Sequence, residues 1–274
     1  MIPAAFDYAV AESVDHAVAL LGEHGDDAKL LAGGHSLLPL MKLRLATPSI
    51  LIDVDRLDDL AYVRDDGDHL AVGARTRHHD VAQSALLQAE VPILAYAAGQ
   101  VGDPQVRHRG TIGGSIAHAD PASDLPAVML ALGGSFVARG PSGDRVIPAS
   151  EFFTGFLESA LEPTELLTEI RVPKVPGAGW SFQKFNRRAQ DWAIVGVAAV
   201  RNNGHSGVGL VNMGSTPLLA TGVVEALQSG ASAADAAARA DEGTEPQSDI
   251  NATPEYRRHL VKVLVRRALE EAGA

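Results

Sequence analysis

The chain has 274 residues, of which 46% are hydrophobic, enough to bury the core of one large domain or two modest ones. Its formal net charge of −11 argues against nucleic acid and anionic membrane surfaces as partners, because both attract positively charged surfaces. The absence of cysteine excludes disulfides, zinc-thiolate sites, cysteine nucleophiles and any iron–sulfur cluster held by this chain's own thiolates.

The N-terminal region predicts a helix followed by two strands. Ser13 precedes apolar positions with helical spacing, and Gly25 is placed to end that helix. Residues 29–32 and 50–54 are short apolar runs typical of buried strands, and a glycine loop lies between them. No signal-like segment and no apolar run of membrane-spanning length is present, so we expect a cytoplasmic protein without a membrane span.

The middle of the chain predicts hairpins alternating with short helices. Asp-Gly and Gly-Pro-Ser-Gly turns at residues 65–68 and 140–143 predict two hairpins, because their residues tolerate positive φ. Residues 166–172 predict one more strand. Three helices are predicted, one capped by Thr76 and running to residue 85, one from Pro92 to residue 99, and one over residues 125–132 with Asp120 as cap and Pro121 as first residue. Residues 102–104 are interpreted as a loop.

Glycines and prolines concentrate at residues 173–179 and predict a domain boundary. After it, strands are expected at residues 180–185, 193–201 and 207–212, the last two joined by a turn at 202–204. Helices are expected at residues 219–228, 233–240 and 254–271, the last started by Thr253-Pro254-Glu255. The pattern predicts an α+β protein in two parts, residues 1–175 and 176–274.

Ten histidines are scattered along the chain, and His78-His79-Asp80 is the densest cluster of metal-binding types. Adjacent residues on a helix point about 100° apart, so this trio is poorly arranged to hold one metal ion. The sequence favours a solvated helix start at this position.

Two glycine pairs about eighty residues apart, each followed by serine, are the clearest indication of function: Ala32-Gly33-Gly34-His35-Ser36 and Thr111-Ile112-Gly113-Gly114-Ser115. Glycine pairs permit positive φ and let a ligand approach bare N–H groups, which attract anionic oxygens. Neither segment matches GxGxxG or a P-loop. Two converging loops would suit the diphosphate of a large nucleotide such as FAD, whereas the simpler interpretation makes each pair a tight turn.

The same segments resemble a known family. The AGGHS and TIGGS motifs, Asp-Pro-Ala-Ser-Asp-Leu-Pro at residues 120–126, Lys-Phe-Asn-Arg-Arg at 184–188 and Asp-Trp-Ala at 191–193 are similar to those of the FAD-binding medium subunits of molybdenum hydroxylases. Carbon monoxide dehydrogenase medium chains and the flavin domain of xanthine dehydrogenase belong to this family. The resemblance covers essentially the whole chain. It implies a two-lobed FAD-binding domain over residues 1–175 and a small α+β domain, of the carbon monoxide dehydrogenase flavoprotein C-terminal type, over 176–274.

The resemblance also implies which residues contact the cofactor. The two glycine loops would bind the FAD diphosphate, and Trp192 stands where carbon monoxide dehydrogenases often have tyrosine near the flavin ring. Asp124 could equally be a carboxylate that stabilises a helix dipole, and Trp192 a core aromatic residue. The full set of implied cofactor contacts is Ala32, Gly33, Gly34, His35, Ser36, Leu37, Val101, Thr111, Gly113, Gly114, Ser115, Asp124, Leu167, Lys184 and Trp192.

By the same resemblance, this chain carries FAD and relays electrons from partner iron–sulfur clusters to an external acceptor, with no catalytic residue and no metal of its own. A large molybdenum-cofactor subunit and a small [2Fe-2S] subunit would be the partners, in a dimer of heterotrimers. The main alternative is a self-contained NAD(P)H-dependent flavin reductase, for which Ser115, Glu169 and Arg187-Arg188 are candidate substrate groups. A non-enzymatic interaction protein, with the glycine loops as mere turns, is a third interpretation.

Overall fold

The computed structural model describes residues 2–202 and 205–273, with His205 described by its backbone alone. Helices and strands are mixed along the chain, as expected for an α+β protein. The helices in the described ranges are α1 (Val14–His24), α2 (Leu37–Lys42), α3 (His78–Gln83), α4 (Ala85–Glu90), α5 (Pro92–Gly99), α6 (Pro104–Arg109), α7 (Ile112–His118), α8 (Asp124–Leu132), α9 (Ala149–Phe152), α10 (Thr221–Gln228), α11 (Ala233–Ala237) and α12 (Pro254–Glu271).

The first lobe is a small parallel sheet covered by α1. Its strands are β1 (Asp7–Val10), β2 (Ala28–Leu31) and β3 (Ile50–Asp53), in the order β1-β3-β2. The predicted helix start is confirmed, because the Ser13 side chain accepts a hydrogen bond from the backbone N–H of His16 at 3.0 Å. Gly25 ends α1 with a φ of +55°. The apolar side of α1 packs on β3 and forms a separate small core.

The second lobe is built on an antiparallel sheet of five strands in the order β4-β5-β10-β6-β7. Both predicted hairpins are present in it, β4 with β5 and β6 with β7. Helices α5, α7 and α8 pack around this sheet and supply much of the largest core, which includes Phe136 and Phe152. The strands of this region are β4 (Val63–Asp65), β5 (His69–Gly73), β6 (Ser135–Gly140), β7 (Gly143–Pro148), the short pair β8 (Phe153–Gly155) and β9 (Glu158–Ser159), and β10 (Leu166–Pro173).

The C-terminal part is a four-stranded antiparallel sheet with α12 packed against it. Its strands are β11 (Gly179–Phe185), β12 (Val195–Asn202), β13 (His205–Val211) and β14 (Leu218–Leu219), in chain order across the sheet. The other face of this sheet packs on α8, where β13 lies so close that a Cβ on Gly207 or Gly209 would collide with helix carbonyls. Ala198 and Val200 of β12 therefore share one core with the second lobe.

Two predicted helix starts and one predicted loop differ from the structure. Thr76 does not cap α3; its hydroxyl exchanges hydrogen bonds with the backbone of Tyr62 at 3.0–3.1 Å. Asp120 does not cap α8, which begins at Asp124; the Asp120 carboxylate accepts from the N–H of Ala122 at 2.8 Å in a local turn. Residues 102–104 are not only a loop, because Asp103 caps α6 and Pro104 is its first residue.

The remaining predicted elements are close to those observed, with two adjustments in the C-terminal part. Leu219 belongs to β14, so α10 starts two residues later than predicted, and α11 ends at Ala237. The predicted turn at 202–204 lies outside the described residues. Over the described ranges, no helix is both long enough and apolar enough to cross a membrane.

Candidate functional site

A cavity of about 850 Å³ is lined by residues from both lobes and from the start of the C-terminal sheet. Its volume lies within the range typical of cofactor pockets. The structure brings together every residue that the resemblance assigned to the cofactor, although their individual binding roles stay predictions. The assigned residues on the cavity wall are Ala32, Gly33, Gly34, His35, Ser36, Leu37, Val101, Thr111, Gly113, Gly114, Ser115, Asp124, Leu167, Lys184 and Trp192.

The first glycine loop, residues 32–36, joins β2 to α2 at the carboxyl edge of the parallel sheet. Gly34 has a φ of +77°, which few other residues adopt without strain. Within the described ranges, no protein group accepts a hydrogen bond from the backbone N–H of residues 33–36. Successive backbone N–H groups without an acceptor, in residues that line a cavity, are suited to binding an anion. The predicted loop and its positive φ are confirmed, whereas its contact with a diphosphate stays a prediction.

The second glycine segment, residues 111–115, differs from the prediction. Gly113 and Gly114 lie inside α7 and have no positive φ, and Thr111 caps the helix by accepting from Gly114 N–H at 3.1 Å. Gly113 is required for close packing, since an added Cβ would lie 2.8 Å from the Cα of Ala74. Gly114 faces open space except for the Thr111 hydroxyl, and with Ser115 it lines the cavity. This segment therefore offers a helix start and a serine hydroxyl rather than free N–H groups.

A buried ion pair lies at the end of the cavity where α8 meets β11. The Lys184 Nζ donates to Asp124 Oδ2 at 2.6 Å and to the Gln100 carbonyl at 3.1 Å. Burial raises the pKa of Asp124 to about 6, and the nearby Lys184 ammonium opposes this rise. The second oxygen of the carboxylate, Oδ1, is buried and has no hydrogen-bond partner among the described residues. Asp124 lines the cavity, so a ligand hydroxyl that reached this oxygen would supply its missing partner.

His78 corrects the expectation of a solvated helix start. Its side chain is buried, with only 4% of the residue exposed, and it packs against Gly110 beside the second glycine segment. Burial lowers the pKa of His78 to about 4, so the imidazole is neutral near neutral pH. Its Nδ1 has no partner among the described residues. The sequence gives no signal of burial here, because His78 stands beside the polar residues His79 and Asp80.

Apolar and aromatic groups complete the wall. Leu167 of β10 is buried, Val101 is half-buried after α5, and Trp192 is 58% exposed at the edge of the C-terminal sheet. An exposed indole beside a cavity is not part of the core, so the core interpretation of Trp192 is wrong. Its ring is available to a flat ligand at the cavity mouth.

The candidate groups for a self-contained reductase are arranged less well. Ser115 lines the cavity, whereas Glu169 is outside the described lining and is held by Arg64, Arg171 and the Tyr62 hydroxyl at 2.7–2.8 Å. Among the described residues, one group has side chains placed to hold a metal ion: Asp66, His69 and Glu169. The Glu169 oxygens, however, already accept hydrogen bonds from Tyr62, Arg64 and Arg171. Arg187 and Arg188 both pair with Asp191.

The donor set on the cavity wall suits an anionic dinucleotide: free N–H groups and a serine hydroxyl for a diphosphate, a carboxylate oxygen for a hydroxyl, and an indole for a flat ring. Comparison with known proteins agrees with this chemistry. Residues 4–175 match the FAD binding domain in molybdopterin dehydrogenase, and residues 180–272 match the CO dehydrogenase flavoprotein C-terminal domain.

Full-length relatives show the same architecture. The chain is 43% identical over 290 residues to the carbon monoxide dehydrogenase medium chain of Hydrogenophaga pseudoflava, covering 100% of this chain and 99% of that one. It is 38% identical to subunit alpha of the 6-hydroxypseudooxynicotine dehydrogenase complex of Paenarthrobacter nicotinovorans, covering 99% and 96% of the two chains. A solved structure of the Hydrogenophaga pseudoflava carbon monoxide dehydrogenase that lacks the Mo-pyranopterin moiety superposes with a TM-score of 0.95 at 44% identity, covering 99% and 98%.

The chain therefore belongs to the FAD-binding family of molybdopterin dehydrogenases. Within that family it is an oxidoreductase flavoprotein subunit of the medium-chain type, similar to those of carbon monoxide dehydrogenase.

Proposed function

We propose that this chain relays electrons from the iron–sulfur clusters of a partner subunit, through its own FAD, to an external acceptor. When bound, FAD supplies the redox chemistry, and the protein contributes binding, orientation and electrostatics. The observation that carries the proposal is the row of free N–H groups at residues 33–36, placed on the same cavity wall as the second glycine segment. A cavity built in this way can hold a diphosphate between the first glycine loop and the start of α7.

The proposed role of each wall group follows from its chemistry. The N–H groups of residues 33–36 and the Ser115 hydroxyl donate to the diphosphate, and His35 and Leu37 flank that contact. The Oδ1 of Asp124 accepts from a sugar or ribityl hydroxyl, while Lys184 holds the other carboxylate oxygen in place. Leu167 and Trp192 offer apolar and aromatic surfaces to the ring systems. The role of these residues is to bind and orient the cofactor that carries the electrons.

The partners follow from what this chain lacks. It has no cysteine, so the clusters that deliver electrons must belong to another chain. We propose a small subunit with [2Fe-2S] clusters and a large subunit with the molybdenum cofactor, assembled as a dimer of heterotrimers in the cytoplasm. The relatives act on unlike compounds, as their names state, so substrate choice is assigned to the large subunit. The division of this chain at residues 175 and 176 remains part of the proposal.

The test is gentle isolation of the chain from its native cell with its partners attached. We expect a flavin spectrum, FAD as the flavin that is released on denaturation, and iron and molybdenum in the purified assembly. FAD on a lone chain that turns over substrate with NADPH would instead support the flavin reductase. An assembly that contains no flavin would contradict both functions.

A matched pair of glycine variants tests the cavity directly. Gly22 and Gly114 are both helical glycines without positive φ, and Gly22 has nothing within 4 Å of an added Cβ. Gly114→Val and Gly22→Val both place a β-branched residue in a helix, whereas the first also adds atoms to the cavity wall and brings the new Cβ within 2.8 Å of the Thr111 hydroxyl. We expect flavin occupancy to fall in Gly114→Val and to stay at the wild-type level in Gly22→Val. Equal occupancy in two folded variants would contradict the proposed position of the diphosphate.

A further inference from the structure

The first glycine loop closely approaches the backbone of the two residues just before the second glycine segment. A Cβ added to Gly33 would collide with the Arg109 carbonyl and lie 2.8 Å from the Cα of Gly110. No side chain separates the first loop from the residues that lead into the second segment. The gap between the two segments is therefore set by whatever holds the Arg109 carbonyl in place.

Arg77 holds that carbonyl. One nitrogen of its guanidinium, Nη1, donates to the Arg109 carbonyl, and the other, Nη2, forms an ion pair with Asp55 Oδ1. The remaining oxygen of Asp55, Oδ2, lies 3.3 Å from Nη2 of Arg109 itself. The side chains of Asp55 and Arg77 are only 19% and 16% exposed, so water and salt screen this interaction less than a surface pair.

The Asp55–Arg77 pair connects two different parts of the fold. Asp55 follows β3 at the sheet edge that carries the first glycine loop, and the two strand ends are joined by a hydrogen bond of 2.9 Å from Val54 N–H to the Leu31 carbonyl. Arg77 belongs to the other lobe, where it forms a backbone bridge with Thr111 at the start of the second glycine segment. The pair therefore spans the join between the lobes, at the place where the two segments meet.

We propose that Asp55 and Arg77 are positioning residues that fix the spacing of the two glycine segments and thereby the affinity for FAD. Neither side chain belongs to the described cavity lining, so each acts through the backbone of the loops rather than by touching the cofactor. The planar guanidinium is essential to this role, because its two nitrogens reach two acceptors in a fixed geometry. The inference rests on the proposed function, since it assigns these residues to the FAD site of that function.

The test uses the assembled complex, purified through a tag on this chain, stripped of flavin and titrated with FAD. We expect Asp55→Asn and Arg77→Lys each to raise the FAD dissociation constant by about tenfold or more, as is typical of coupled contacts. Lysine keeps the charge but presents a single ammonium, which cannot hold the carboxylate and the carbonyl in one fork. Visible circular dichroism of the flavin that still binds should also change, because it reports how the cofactor sits.

A second ion pair between the lobes provides the control. Nη1 of Arg139 on β6 lies 2.8 Å from Oδ1 of Asp15 on α1. Neither side chain forms a hydrogen bond or ion pair with a glycine segment in the described part of the chain. We expect Asp15→Asn to leave the FAD dissociation constant and the dichroism of the bound flavin at wild-type values. Asp55→Asn and Arg77→Lys alter a mostly buried pair and should lower the melting temperature of the flavin-free complex more than Asp15→Asn, so FAD binding is compared at a temperature where all three variants are folded.

Each outcome separates this inference from the proposed function. Wild-type affinity in both Asp55→Asn and Arg77→Lys, in a complex that does contain FAD, overturns the positioning role and leaves the function standing. Wild-type affinity in Arg77→Lys with a loss in Arg77→Met would assign Arg77 a charge effect and also overturn it. A wild-type complex without FAD would instead remove the proposed function itself.

Discussion

His78 and Asp124 are both buried beside the cavity, and burial moves their pKa values in opposite directions. The pKa of His78 falls to about 4 and that of Asp124 rises to about 6, because in each case the low dielectric disfavours the charged form. Each side chain also has one buried polar atom, Nδ1 of His78 and Oδ1 of Asp124, that has no hydrogen-bond partner among the described residues. Each such atom lowers stability in the free chain and favours a bound ligand that supplies a partner.

For His78 this predicts a specific pH dependence of stability. Between the folded pKa of about 4 and the ordinary value of 6.5, the unfolded chain binds a proton that the folded chain does not. The contribution of His78 to folding is therefore complete above pH 6.5 and is lost as pH falls toward 4, by up to about 3 kcal/mol at about 1.4 kcal/mol per pH unit. We expect His78→Gln, which cannot titrate, to flatten the fall of the unfolding free energy between pH 7 and 4.5.

Urea unfolding at a series of pH values measures this effect. His259→Gln, at an exposed position on α12, is the matched control and should follow the wild-type curve. Parallel curves for His78→Gln and the wild type would show that His78 titrates alike in the folded and unfolded chains, against the prediction.

At the scale of elements, the start of α6 shows both the strength and the limit of sequence reasoning. Asp103 accepts from the N–H of Val106 at 2.8 Å and Pro104 is the first helical residue, a start signal as clear as Thr253-Pro254 on α12. The helix that follows is only six residues long and buries no side chain, so the apolar periodicity that distinguishes a helix start from a loop is absent at residues 102–104. Its basic last turn, which contains Arg109, leads straight into the second glycine segment.

Removing this cap should destabilise the chain measurably. Asp103→Ala leaves the Val106 N–H without its acceptor, and we expect the unfolding free energy to fall by about 1 kcal/mol. Asp103→Asn keeps a capping oxygen and should stay within a few tenths of a kcal/mol of wild type. Thermal and urea unfolding of both variants measures the difference, and equal losses in the two would contradict a capping role.

The same comparison explains which parts of the site were accessible from the sequence. The glycine loops were accessible because they are short motifs with their own local pattern of glycine and serine. The other wall residues, Val101, Asp124, Leu167, Lys184 and Trp192, carry no such pattern and were assigned only through the family resemblance. Asp55, Arg77 and His78 have no such signal, because their roles depend on contacts between segments that are distant in the chain. The conformation of Gly113 and Gly114 was also predicted wrongly, since close packing on Ala74 and a helix start require small residues just as positive φ does.

At the scale of the whole molecule, α8 belongs to two structural units at once. One face packs in the core of the second lobe, and the other lies against β12 and β13 of the C-terminal sheet. The Asp124–Lys184 ion pair crosses the same junction. The glycines and prolines at residues 173–179 mark a change of architecture along the chain, but the hydrophobic core continues across it.

This continuity predicts that the chain unfolds as one unit. If residues 1–175 were separated, the face of α8 that meets Gly207 and Gly209 would be exposed to water, together with the core side that Ala198 and Val200 cover. We expect calorimetry of the full chain to give one transition whose calorimetric and van't Hoff enthalpies agree. A fragment of residues 1–175 should lack a cooperative transition.

Gly209→Ala sharpens this prediction, because the added methyl group would press on the backbone of Ala127 in α8, with 2.7 Å from the new Cβ to the carbonyl carbon. If the two units are coupled, the single transition of the full chain moves to lower temperature as a whole, since strain at the junction destabilises both sides together. If they are independent, the variant instead splits the transition, with the part that contains residues 1–175 melting at its own temperature. Splitting, or a cooperative transition in the fragment, would contradict a shared core and make α8 a surface on which a separately folded C-terminal domain rests.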